Sequence, residues 1–156
     1  MRTGGYASIG MMSFLDRVLG RRDATRQRAL SAAVAAVDRE LAANLELSAM
    51  FDSTHQAFVF ENAAFEREAS VLRAEMGAVH FDGVAAVYRD MPSVETAMER
   101  RGPANSIRPE DRALIETWEG DVRVAQRALR DALSQHPPPV WELLLARLRG
   151  GKHSGR

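Results

Sequence analysis

The amino-acid sequence predicts an all-α protein: an antiparallel helical bundle built around a long helical hairpin, with short connecting and C-terminal helices. Three observations predict it. No Gly or Pro occurs between Arg21 and Met76, so a long stretch carries no helix breaker. Apolar residues recur at helical spacing in two long stretches. Strand-like alternation is absent from both.

Residues 1–11 are Gly-rich and unpatterned. They lack the apolar core and cleavage-like site of a signal peptide. They are expected to be a disordered leader, or to precede a true start at Met12. From Met11 to Leu19 the apolar residues, Phe14, Leu15 and Val18 among them, fall on one side of a short helix. Arg21 and Arg22 follow it. Such a segment can lie in an anionic membrane surface, or pack on its own bundle. Its shortness and the acid Asp16 favour packing on the bundle.

Asp23 is the candidate N-cap of a helix running to about Phe51. Its stripe is Leu30, Val34, Val37, Leu41, Leu45 and Ser48, with Met50 and Phe51 close behind. Asp52-Ser53-Thr54 weakens the helix, because these side chains compete for backbone hydrogen bonds. Phe58, Val59 and Phe60 form a small aromatic knot. A second helix then starts at Asn62, with Phe65, Ala69, Leu72 and Met76 as its stripe and Gly77 at its C-terminal cap. One continuous helix over 23–76 is the alternative.

Asp82 can cap a short helix over Val84–Asp90, interrupted by Pro92 and resumed over Ser93–Arg101. Gly102-Pro103 stops it. Pro109, Glu110 and Asp111 then open the best-patterned helix of the chain, with acids in the first turn, where the helix dipole favours them. Ile115, Trp118, Val122, Ala125, Leu129 and Ala132 form its stripe. Arg112/Glu116, Glu119/Arg123 and Arg127/Asp131 are i,i+4 pairs on its wet side. This helix should pack antiparallel on Val34, Val37, Leu41 and Leu45. It ends near Gln135, before Pro137–Pro139. A last short helix, Val140–Arg149, carries Trp141, Leu144, Leu145 and Leu148, which suit a partner groove or the end of the chain's own core. The expected organisation is a leader and amphipathic segment over 1–22, the bundle over 23–135, and a Pro-linked helix with a basic tail over 136–156.

Charge follows the same division. Residues 1–28 carry a net +4 and residues 136–156 a net +3, around a middle of −7, and the whole chain sums to zero. A negative body disfavours nucleic acid, whose phosphates need positive charge. The absence of Cys removes disulfides, thiolate metal sites and Cys nucleophiles. No apolar run approaches the roughly 18 residues of a membrane span.

Catalytic constellations are not evident. No two of His55, His80, His136 and His153 stand three or four residues apart. Asp52-Ser53-Thr54-His55 is a single acid–imidazole pair where helical di-iron sites use two Glu-x-x-His units and two further Glu. There is no G-x-S-x-G element and no phosphate-binding Gly loop. Glu116 and Glu119 are expected on a charged face opposite Arg. Arg100, Arg101 and Arg108, set among Glu99, Glu110 and Asp111, are expected in local ion pairs. Asn44 lies beside Leu41 and Leu45. It either sits on a seam, where it can fix register or oligomeric state, or lies partly wet at the stripe's margin.

Three pieces are familiar together. Glu40-Leu41-Ala42-Ala43-Asn44-Leu45 reads ELxxNL. Phe60-Glu61-Asn62-Ala63-Ala64-Phe65-Glu66 reads F-x-polar-x-A-aromatic-E, and Tyr88 follows in a short helix. The chain resembles a loose group of small helical bacterial proteins of unknown function, many with an N-terminal membrane anchor. That group usually carries Thr and Trp where this chain has Asn62 and Phe65. The resemblance implies a helix start at Asn62 and no activity.

The sequence thus leads to the expectation of a non-enzymatic, cofactor-free interaction or scaffold protein of the cytoplasm. Its expected partner is a second copy of itself, as a homodimer, or another protein. The alternative is a peripheral protein whose basic ends make weak contact with an anionic membrane. A metal-dependent enzyme ranks third.

Overall fold

The computed structural model describes residues 7–100 and 106–135, with side chains from Asp23 onward. Four helices occur among the described residues: α1 (Ala7–Thr54), α2 (Ala63–Glu75), α3 (Ala78–Glu99) and α4 (Pro109–Gln135). The chain divides into two units, Leu30–Gln135 and a second of Met1–Ala29 with His136–Arg156. Of the second unit, the described part is the N-terminal portion of α1. The expected helix Val140–Arg149 and its four apolar anchors lie outside the described residues.

In the unit Leu30–Gln135 the expected all-α bundle is present. Helix α4 keeps its whole predicted stripe: Ile115, Trp118, Val122, Ala125, Leu129 and Ala132 are all buried. Fully burying the large side chains among them contributes about 1.5–3 kcal/mol each. Pro109 is the first residue of α4, where its missing N–H costs nothing. The partner stripe on α1 buries Leu30, Val34, Val37, Leu41, Ser48 and Phe51, while Leu45 is partly buried.

Polar contacts fix the direction of the α1–α4 pair. Arg112 meets Asp52 at 3.3 Å, and Ser48 Oγ donates to Glu119 at 2.8 Å. Gln126 donates to the Asp38 carbonyl at 3.3 Å. Partners descend α1 as they ascend α4, so the two helices are antiparallel, as the stripes predict. Helix α3 lies antiparallel to α4 on another side, with the Trp118 indole N–H donating to the Val87 carbonyl at 3.1 Å and Arg100 reaching Asp111 at 3.4 Å.

The break after Phe51 is real, and its chemistry is local. Ser53 and Thr54 hydroxyls both donate to the Met50 carbonyl. His55 adopts a left-handed conformation at φ 56°, and its N–H closes on the Phe51 carbonyl at 2.8 Å. This is the αL way of ending a helix, with His in the place usually taken by Gly. Residues 55–62 then form a strap that leads to α2.

Several expectations are corrected. Helix α1 begins at Ala7, so Asp23 is internal to it and caps nothing. Its two glycines, Gly10 and Gly20, cost only about 1 kcal/mol each against flanking helix formers. Helix α3 runs unbroken from Ala78, starting ahead of Asp82 and passing through Pro92. Pro92 is exposed, and the apolar face formed by Val84, Val87, Met91, Val94 and Met98 packs continuously behind it. Met50 and Val59 are exposed rather than core. Arg112 pairs with Asp52 rather than with Glu116, whereas Glu119/Arg123 forms as expected at 3.3 Å. Glu119 itself is mostly buried against Ser48 rather than turned to the charged face.

Candidate functional site

Helix α2 has no side-chain cap of its own. Asn62 occupies its N-cap position, but the Asn62 amide donates to Glu66 at 3.0 Å and makes no capping bond. The first N–H groups of a helix need acceptors, and burial makes an unmet donor costly. Here the acceptor comes from another helix. Glu40 of α1 accepts from the Ala64 N–H at 2.6 Å and from the Phe65 N–H at 3.0 Å. Its carboxylate also meets the positive end of the α2 dipole. Its third donor is the Tyr88 hydroxyl of α3, at 2.9 Å. One buried side chain thereby ties three helices.

One helical turn along α1, Asn44 performs the related task for the strap. Its amide N–H donates to the Glu61 carbonyl at 2.7 Å, and its carbonyl accepts from the Glu61 N–H at 2.8 Å. This two-point grip fixes Glu61 as a neighbouring strand would. Glu95 of α3 accepts from the Phe60 N–H at 2.7 Å. Four residues on the chain's path, Phe60, Glu61, Ala64 and Phe65, are therefore set by directional bonds.

Aromatic stacking supplies the apolar half. Phe60 stacks on Trp118 with centroids 4.5 Å apart and planes at 17°. Phe65 stacks on Tyr88 at 4.2 Å and on Phe81 at 6.0 Å. The Arg73 guanidinium lies over the other ring of this group, 4.7 Å from the Phe81 centroid. Burial pushes the Tyr88 hydroxyl far above its ordinary 10.0, and the charge of Glu40 and the hydrogen bond to it add to the rise. Tyr88 is therefore a phenol, and a donor, at neutral pH and above the pH at which an exposed tyrosine ionises.

The three sequence pieces ELxxNL, F-x-polar-x-A-aromatic-E and Tyr88 meet at this one place. Glu40 and Asn44 come from the first, Phe60 and Phe65 from the second, and Tyr88 is the third. What looked like spaced motifs is one polar and aromatic knot. Asn44 is fully buried. Its task lies within the chain, so the wet-margin reading fails. The sequence places Ser48 on the α1 stripe and Glu40 in ELxxNL but predicts a hydrogen-bonding task for neither, nor for Glu95. The signal for Glu40 was available: it stands four residues before Asn44, on the face that also carries Val37, Leu41 and Ser48. A charge inside a buried stripe calls for donors to satisfy it.

A second buried acid lies at the start of α4. Asp111 is almost fully buried, with Oδ1 3.4 Å from Arg100 and Oδ2 buried without a hydrogen-bond partner. The local ion pairing expected of Arg100 is thus present. Phe14, Leu15, Val18, Arg21 and Arg22 all fall within α1, but their side chains lie outside the described residues. Trp141, Leu144, Leu145 and Leu148 lie outside them too. Among the described residues no cluster of three His, Asp or Glu could hold a metal ion, and no helix is long and apolar enough to cross a membrane.

No protein family, no curated protein and no solved structure matches the chain.

Proposed function

We propose that the protein is a non-enzymatic helical interaction or scaffold protein that associates with a second copy of itself, and that it works in the cytoplasm. One observation carries the reading. The polar side chains gathered at the α1–α2–α3 knot, which would be the raw material of a catalytic site, are committed to the fold. Glu40 binds two backbone N–H groups and a phenol, Asn44 grips the Glu61 backbone, and the Trp118 N–H is bound to Val87. General acid–base work needs a group able to reach a substrate proton. A carboxylate enclosed by three donors from its own chain serves architecture instead.

Apolar side chains left on the surface supply material for an interface. Met50, Leu114 and Val124 are each exposed by more than a third on α1 and α4. Symmetric dimers are the commonest closed assemblies. Light scattering at micromolar concentration tests the proposal: a mass of twice 17.2 kDa is expected. A strict monomer over the whole concentration range would reject self-association.

A further inference from the structure

We infer that the strap and helix α2, residues 55–77, form a hinged lid that opens as one unit from the bundle, with Glu40 as its pin. Four observations converge on this segment. Its two ends are His55 at φ 56° and Gly77 at φ 78°, the two positive-φ residues among those described. Left-handed residues reverse the chain abruptly, so the segment is bounded on each side by a sharp turn. Gly77, with ψ 152°, is in a region that only glycine occupies readily.

Second, α2 contributes little apolar burial. Leu72 is its one buried apolar residue, with Ala64, Phe65, Ala69 and Val71 partly buried, against eight in α3 and six in α4; the rest of the segment adds Phe60 and Met76. Third, its 13 residues are at the length where an isolated helix is marginal in water. It persists because its N-terminus is capped from outside. Fourth, the hydrogen bonds from the bundle to the segment are concentrated at one end: Glu95 on Phe60, Asn44 on Glu61, Glu40 on Ala64 and Phe65. Loss of Glu40 uncaps the helix and frees its first turn together. A segment with fewer buried side chains than the helices beside it and its directional bonds gathered at one end is the kind that opens below the global unfolding free energy. Opening uncovers the Trp118 ring, the Tyr88 hydroxyl and the Glu40 carboxylate in one step, since Phe60, Phe65 and the first turn of α2 cover them.

Residue-resolved amide hydrogen exchange on the full chain tests the lid. In the parent protein, the amides of residues 69–76 should share one protection factor. It should be at least about 100-fold below that of the α4 amides from Val122 to Leu129. In Glu40→Gln the whole set should exchange about tenfold faster or more, although residues 69–76 lie beyond the hydrogen bonds of Glu40. The α4 amides should not change. Equal protection of α2 and α4 in the parent would overturn the inference. So would a Glu40→Gln effect confined to Ala64 and Phe65. If Glu40→Gln does not fold, Glu95→Gln, which touches the segment only through Phe60, should speed the same amides as a group. An effect of Glu95→Gln restricted to Phe60 would reject the lid.

Discussion

Helices α4 and α2 belong to the same bundle but are fastened to it by different physics. Helix α4 has a continuous apolar stripe, and every stripe residue from Ile115 to Ala132 is buried. Its attachment is spread along 27 residues and is non-directional. Helix α2 has Leu72 as its one buried residue, with Phe65, Ala69 and Val71 partly buried, and its start depends on a few oriented bonds from Glu40, with Asn44 and Glu95 holding the strap before it. The difference teaches that a helix can be placed either by area or by direction. Area tolerates the loss of one contact. Direction concentrates the dependence in single atoms.

The sharpest blow to the area-held region is Trp118→Ala. Trp118 is buried, stacked on Phe60 and bonded to Val87, so truncation should cost about 3–5 kcal/mol. For a chain of this size that is a fall in Tm of roughly 10 °C, measurable by calorimetry. An unchanged Tm would mean that the α4 stripe is not the core. Against the direction-held region, Glu40→Ala should cost about 2–3 kcal/mol in urea unfolding, because three donors lose one charged acceptor. A cost under about 0.5 kcal/mol would show that α2 has another cap.

Gly77→Ala tests the turn that joins α2 to α3. A Cβ there meets nothing within 4 Å, so no steric contact opposes it. The expected loss of about 1–3 kcal/mol is purely that of an L-residue forced to φ 78°. No loss would mean that the turn relaxes without disturbing either helix.

The Tyr88 hydroxyl gives a pH test of the same region. Its folded-state value is raised, so the folded chain keeps the proton after the unfolded chain has released it. Its contribution is complete below 10.0 and declines as pH rises above that value. Stability should then fall by about 1.4 kcal/mol per pH unit from this residue alone. Urea midpoints between pH 9 and 11.5 should lose that slope in Tyr88→Phe. An identical slope in both proteins would place the titration elsewhere.

The contrast also explains what could be read from the amino acids. Helix α4 and the buried edge of α1 were legible because a stripe at 3.6-residue spacing records burial directly. The break after Phe51 was legible because Asp52-Ser53-Thr54 announces local side-chain bonding. The run-on of α3 through Pro92 was not, since the buried face behind it outweighs a single breaker on an exposed face; nor was that of α1 past Asp23, where a capping residue also serves inside a helix. For α2, the start at Asn62 could be read but its cap could not. Capping rules assume a neighbour in sequence, and Glu40 lies 24 residues from Ala64. Nothing in local spacing says which distant carboxylate will arrive. The meeting of Glu40, Asn44, Phe60, Phe65 and Tyr88 is likewise a product of topology rather than of any one motif.

The most direct test of the trans cap is the smallest expected effect, Asn62→Ala, measured by urea unfolding beside Glu40→Ala. A residue that caps its own helix costs about 1 kcal/mol when truncated to Ala. Asn62 makes no capping bond, so its loss should change stability by less than about 0.5 kcal/mol, the range of ordinary surface substitutions. A loss of 1 kcal/mol or more from Asn62→Ala, with Glu40→Ala close to the parent, would contradict the assignment of Glu40 as the cap of α2.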